Sequence, residues 1–201
     1  MNCYIVGSEC PGQEQGAEPF HNPAPGDAVI IDPGCMNETI LRFIEDNDFN
    51  LRGVLLTHDH INHIRGLQTL KRIYDADIYA MNQLVLDQKT VVIQDMDILY
   101  IGPFRFEVIS IPGHSPDSAV FKIGRLLFTG DVLSAGLVGN TASTYGATIQ
   151  MTALRNKILS LPGDFTILPG HGPPSSLEAE RRFNAGIQLY EEKRNKPRVV
   201  P

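Results

Sequence analysis

The stretch Gly53-Val54-Leu55-Leu56-Thr57-His58-Asp59-His60-Ile61-Asn62-His63 joins a short apolar run to three histidines. The run over 53–57 predicts a buried strand, because apolar residues continue without helical spacing and a polar segment ends them. Imidazole nitrogen is a common metal ligand. His58 and His60, two apart, can aim at one point from an extended or turning backbone, and His63 sits at the start of the next predicted helix.

The same arrangement recurs along the chain. The strand predicted over 104–111 runs into Pro112-Gly113-His114, and the one over 165–168 into Pro169-Gly170-His171. The strand over 126–129 ends in Gly130-Asp131. Each is an apolar strand, a breaker and then a ligand-type side chain, and loops at one edge of a sheet are where sites are built. His21, in Phe20-His21-Asn22-Pro23, follows no strand and reads as an ordinary surface residue.

Further strands are predicted over 28–32, 78–81, 97–100 and 119–123, the last forming a hairpin across Gly124. Helices are predicted from the Asn37 cap to about 48, over 62–74, over 148–161 and from the Ser176 cap onward. The last of these presents Phe183, Ile187 and Tyr190 as its apolar face. Mixed short strands and helices define an α/β (α+β) layered domain. Residues 1–201 read as one domain, with a long surface loop over 7–27 and a tail over 196–201.

Composition sets limits. The chain has 201 residues, 17 Lys plus Arg against 23 Asp plus Glu, and a net charge of -6. Such a balance argues against nucleic acid or an anionic membrane as partner. Three cysteines without a Cys-x-x-Cys pair exclude a disulfide framework and a thiolate zinc site. Cys3 is expected in the core, and Cys10 and Cys35 in loops. No signal peptide or membrane span is legible, so the expected location is cytoplasmic.

These motifs resemble the metallo-β-lactamase superfamily, most closely its short hydroxyacylglutathione hydrolase (glyoxalase II) branch. The resemblance runs over 28–184, through Asn2-Cys3-Tyr4, Asp32-Pro33-Gly34, Thr57-His58-x-His60-x-x-His63, Pro112-Gly113-His114-Ser115-Pro116, Phe128-Thr129-Gly130-Asp131 and Leu168-Pro169-Gly170-His171-Gly172-Pro173. It implies a four-layer αββα sandwich. His58, His60 and His114 would hold a first metal, His63 and His171 a second, and Asp131 would bridge and take part in catalysis. Zinc is the expected ion, one or two per chain, with iron or manganese as alternatives. With Asp131 in the bridging position and no leader, β-lactam hydrolysis is not expected.

The chain departs from the family at four places. Asn62 stands where the pattern His-x-His-x-Asp-His has its second acid. Two divalent cations, Asp131 and a hydroxide then leave a charge of +2 rather than +1, so the second site is expected to be weakened or absent. Met1 abuts the Asn-Cys-Tyr segment where relatives carry a further strand, and the 7–27 loop is longer than usual. Asn140 follows Gly139 where related branches place a cation for glutathione. Asn140 and Tyr145 are the candidate substrate residues.

The implied activity is thioester or ester hydrolysis of a small molecule by a metal-bound hydroxide. The alternatives are a metal-binding module without catalysis and a mononuclear iron persulfide dioxygenase on His58, His114 and Asp131. The sequence leaves the oligomeric state open.

Overall fold

The computed structural model describes residues 1–8 and 25–195, with side chains to 192. Most of the loop expected over 7–27, with His21 and Cys10, lies outside the described residues, as does the tail over 196–201.

Two sheets carry the fold. The first orders its strands Tyr4–Gly7, Gly26–Ile31, Phe49–Leu55, Asp77–Ala80 and Val91–Val92; all neighbours are parallel except the first pair. The second orders Ser175–Ser176, Thr166–Pro169, Leu126–Gly130, Ala119–Ile123, Phe104–Ser110 and Ile98–Ile101. Only Leu126–Gly130 and Thr166–Pro169 run parallel there. The hairpin turns at Gly124, as the sequence predicts.

Alternation along the strands divides the core into three. In Gly26–Ile31, Ala28 and Ile30 face helices and pack with Ile44, Leu67 and Leu70. Val29 and Ile31 face the other way and join Phe106, Phe121 and Phe128 between the sheets. Val120, Leu127 and Ile167 cover the outer face of the second sheet with Leu154, Ile158, Leu177 and Ile187. Successive strand residues point to opposite faces, so a strand buried on both sides reads as a continuous apolar run. Helix, sheet, sheet, helix is the resulting order: the αββα sandwich.

The helices correct three expectations. The run over 62–74 is two helices, Ile61–Ile64 and Leu67–Ile73, parted at Gly66. A Cβ there would lie 2.0 Å from the Pro33 carbonyl oxygen, so the chain bends around the Asp32-Pro33-Gly34 turn. The helix expected from 148 begins at 144, because Ser143 caps it by accepting from the Gly146 N–H; Thr144–Leu154 then widens into a π turn, Arg155–Leu159. The final helix, capped by Ser176, is broken at Asn184 into Leu177–Phe183 and Ala185–Asn195. Asn184 Oδ1 accepts from the Ile187 N–H and restarts the helix. Ile187 is buried, but Phe183 at the break is 72% exposed and leaves the expected apolar face. The Asn37 cap on Glu38–Asp46 holds as expected. Cys3 packs against the helix-side core. Among the described residues, no helix is long and apolar enough to cross a membrane.

Candidate metal centre

The strand ends meet at one edge of the sandwich. The Ala119 N–H donates to the Thr57 carbonyl (2.8 Å) and the Gly170 N–H to the Gly130 carbonyl (2.8 Å), drawing four of the loops together. Gly170 is required by space: a Cβ there would lie 2.5 Å from both Asp131 Oδ1 and His63 Cε1.

Three imidazoles converge first. His58 Nε2 lies 2.9 Å and His114 Nε2 3.0 Å from His60 Nδ1. The rest of the network assigns their protons. Thr57 Oγ1 gives its proton to Asp32 Oδ2 (2.6 Å) and so accepts from His58 Nδ1–H (3.1 Å). His114 Nδ1–H donates to the Asn140 carbonyl (2.8 Å). The lone pairs of His58 Nε2 and His114 Nε2 therefore face His60 Nδ1. Such crowding repels unless a cation lies among the three nitrogens. Nitrogens sharing a zinc ion at 2.0–2.1 Å are about 2.9–3.4 Å apart, which these pairs match. The donor set fits a divalent metal.

A second group surrounds Asp131. Its Oδ2 faces His58 Nε2 (4.0 Å) and His114 Nε2 (3.8 Å), and its Oδ1 faces His63 Nε2 (3.4 Å) and His171 Nδ1 (2.8 Å). The two carboxylate oxygens are thus divided between two sets of imidazoles. One ligand atom from each of His58, His63 and Asp131 also falls within 4.8 Å of the others. His63 is fully buried, its Nδ1–H donates to Asp32 Oδ2 (2.8 Å), and its Nε2 is without hydrogen-bond geometry to any partner. An orphaned buried nitrogen aimed at a carboxylate fits a second cation between them.

Electrostatics agree with close grouping. Burial, then the neighbouring His63, pushes the His58 pKa down to about 3. Burial opposes a charge on His63 too, but the flanking Asp131 and Asp32 carboxylates outweigh it and push its pKa up to about 9. Burial would raise the Asp131 carboxyl; His63 and His171 outweigh it and hold it well below the usual carboxylate range.

Asp32, which the sequence places in the Asp32-Pro33-Gly34 motif without a role at the site, stands directly behind the histidines. It is 2% exposed, adopts φ 52°, and its two oxygens also take the Thr57 N–H (2.8 Å) and hydroxyl. It orients His63 directly and His58 through Thr57, as carboxylates behind metal-bound histidines do. A carboxylate closing an apolar strand was the available signal. Asp59 points away, as its flanking ligands require, with Oδ2 accepting from Asn82.

Two clefts flank the centre and meet at His171. One, about 220 Å³, is lined by His114, Asp131, Ser134, Val138, Asn140 and His171 among others. The other, about 700 Å³, takes in Asn62, Arg65, Tyr4 and His171. Asn62 is exposed on the wall of the larger cleft. Tyr145, on the first turn of Thr144–Leu154, is 76% exposed and lines neither.

Sandwich and site together define a metal-binding member of a widespread hydrolase fold. Residues 24–171 match the family described as the metallo-beta-lactamase superfamily, and the chain belongs to it. It is similar to the hydroxyacylglutathione hydrolase GloC of Haemophilus influenzae, 31% identical over 78% of this chain and 85% of that one. Among solved structures it is similar to ETHE1 from Myxococcus xanthus (TM-score 0.73, 27% identity, 86% of this chain and 82% of that one). It is also similar to TTHA1623 in a di-iron-bound form (TM-score 0.70, 26% identity, 92% and 93%).

Proposed function

We propose that this protein is a metal-dependent hydrolase of small-molecule thioesters or related esters, of the hydroxyacylglutathione hydrolase type. The observation that carries the reading is the division of Asp131, one oxygen toward His58 and His114 and the other toward His63 and His171. His58, His60 and His114 would hold the first ion and His63 and His171 the second, with Asp131 between them. Zinc suits nitrogen and carboxylate donors, and iron or manganese are the alternatives. Zinc held there would lower the pKa of a bound water to about 7 and would favour negative charge developing at an attacked carbonyl.

The chain's own residues do the positioning. Thr57, Asp32 and the Asn140 carbonyl hold protons on the outward nitrogens of His58, His63 and His114, so their lone pairs face inward. The 220 Å³ cleft, bounded by Asn140 and Val138, offers a place for an ester carbonyl beside His114 and Asp131. Asn140 lines that cleft as a neutral contact, and Tyr145 stands outside it at the surface. A thiolate leaves without a strong general acid, so the proposed reaction needs none.

Purified protein loaded in turn with zinc, manganese and iron is to be offered S-D-lactoylglutathione and simpler thioesters, beside His114→Ala. Turnover that the variant loses supports the proposal; no turnover above the variant under any loading overturns it. A second reading, a mononuclear iron dioxygenase acting on persulfides, rests on His58 Nε2 and His114 Nε2 at 4.0 and 3.8 Å from Asp131 Oδ2. Two histidines and one carboxylate on an open face are the ligand set of non-haem iron oxygenases.

A further inference from the structure

The larger cleft holds what the proposed chemistry leaves unused. Its volume, about 700 Å³, is that of a small-molecule pocket. It reaches the metal centre through Asn62 and His171, and none of the described residues that line it is Asp or Glu. Among these described residues the one Arg or Lys side chain is Arg65. Arg42, Arg52, Arg105, Arg155 and Arg182 each pair with a carboxylate. Arg65 has no such partner among the described residues, and it is exposed.

The reason is local. Asn62, three residues before Arg65 on the same side of the helical turn, is an amide and brings no charge to it. Asn2 and Tyr4, which also line the cleft, donate to main-chain carbonyls: Asn2 Nδ2 to Pro169 and Gly172, and Tyr4 Oη to Pro169. Among the described lining residues Arg65 is the one guanidinium, beside the α-amino group of Met1.

We infer that this cleft is an anion subsite, in which Arg65 receives a carboxylate at the far end of the substrate's acyl chain. The inference rests on the hydrolase reading and names its substrate class: a thioester whose acyl group carries a second acid. A guanidinium binds a carboxylate through paired, charge-assisted hydrogen bonds.

The test uses the zinc-loaded protein and two N-acetylcysteamine thioesters of equal length, one acyl chain ending in a carboxylate and the other in a methyl group. The carboxylated ester is expected to show the higher kcat/KM, by about ten-fold, the scale of one charge-assisted contact. Arg65→Gln should bring the ratio toward one, and Arg65→Lys should keep part of it. A ratio near one in wild type, or one that Arg65→Gln leaves unmoved, overturns the inference. If neither ester is cleaved, the hydrolase reading fails by itself. Calorimetric titration with the uncleavable thioether ending in a carboxylate then decides. Binding weakened about ten-fold by Arg65→Gln sustains the subsite; equal binding by both proteins, or none by either, overturns it.

Discussion

Asn62 stands where the metallo-β-lactamase pattern has an acid, so on the proposed reading a charged oxygen donor is replaced by a neutral one. An amide oxygen is a poorer donor to a divalent cation than a carboxylate, and a two-metal site without that charge keeps an extra positive charge. The His58–His60–His114 set owes nothing to residue 62. Elemental analysis of zinc-treated, desalted protein should therefore find nearer one ion than two per chain, and Asn62→Asp should raise the count toward two. Two ions already in wild type, or no gain in the variant, would refute this. The grouping of these candidate ligands was legible in the sequence, since each follows an apolar strand and a breaker. Asp32 was not legible as a site residue. Its partners Thr57 and His63 lie 25 and 31 residues away, and only the sheet pairing brings them to it.

The central strands were legible nearly to their ends, because two-sided burial leaves unbroken apolar runs, whereas the short edge strands Val91–Val92 and Ser175–Ser176, without such runs, were not. The helices were less so, since periodicity continues through a bend that only tertiary contact imposes. Gly66 is the clearest case. Its φ of -74° is helical, so propensity alone favours alanine there by about 1 kcal/mol. Against that, a Cβ would stand 2.0 Å from the Pro33 carbonyl and 2.8 Å from Met36 N, both backbone atoms that cannot rotate away. Overpacking costs about 1–3 kcal/mol, or more where backbone must shift, so the clash outweighs propensity. Gly66→Ala is expected to lower the urea midpoint, and because the bend seats Asp32, also to weaken zinc binding. A stabilised Gly66→Ala protein would show that the bend yields. Phe183 and the break at Asn184 belong to the same class: the apolar spacing was real, but Asn184 bonds Glu180 and restarts the helix, turning the ring outward.

At the scale of the molecule, the candidate ligands divide between the two sheets. His58, His60 and His63 follow Phe49–Leu55 of the first, and His114, Asp131 and His171 follow strands of the second. Between the sheets the apolar core of Phe106, Phe121 and Phe128 holds them together, but at the site edge that core gives way to buried polar groups, Asp32, Thr57, His58 and His63. Dehydrated imidazoles with facing lone pairs are costly there, and on the proposed reading an ion that binds only the folded chain would offset the cost while tying one sheet to the other. Ligand present at a thousand times its dissociation constant stabilises the folded state by about 4 kcal/mol. For a chain of this size each kcal/mol moves the melting temperature by about 2–4 °C, so zinc is expected to raise it by about 8–16 °C over chelated protein. His114→Ala removes one ligand from the second sheet and should shrink that difference, while its chelated form melts near chelated wild type because His114 lies at the cleft rather than in the core. Scanning calorimetry of the four samples checks both points. Coincident melting of zinc-loaded and chelated wild type would show that the edge is held without an ion.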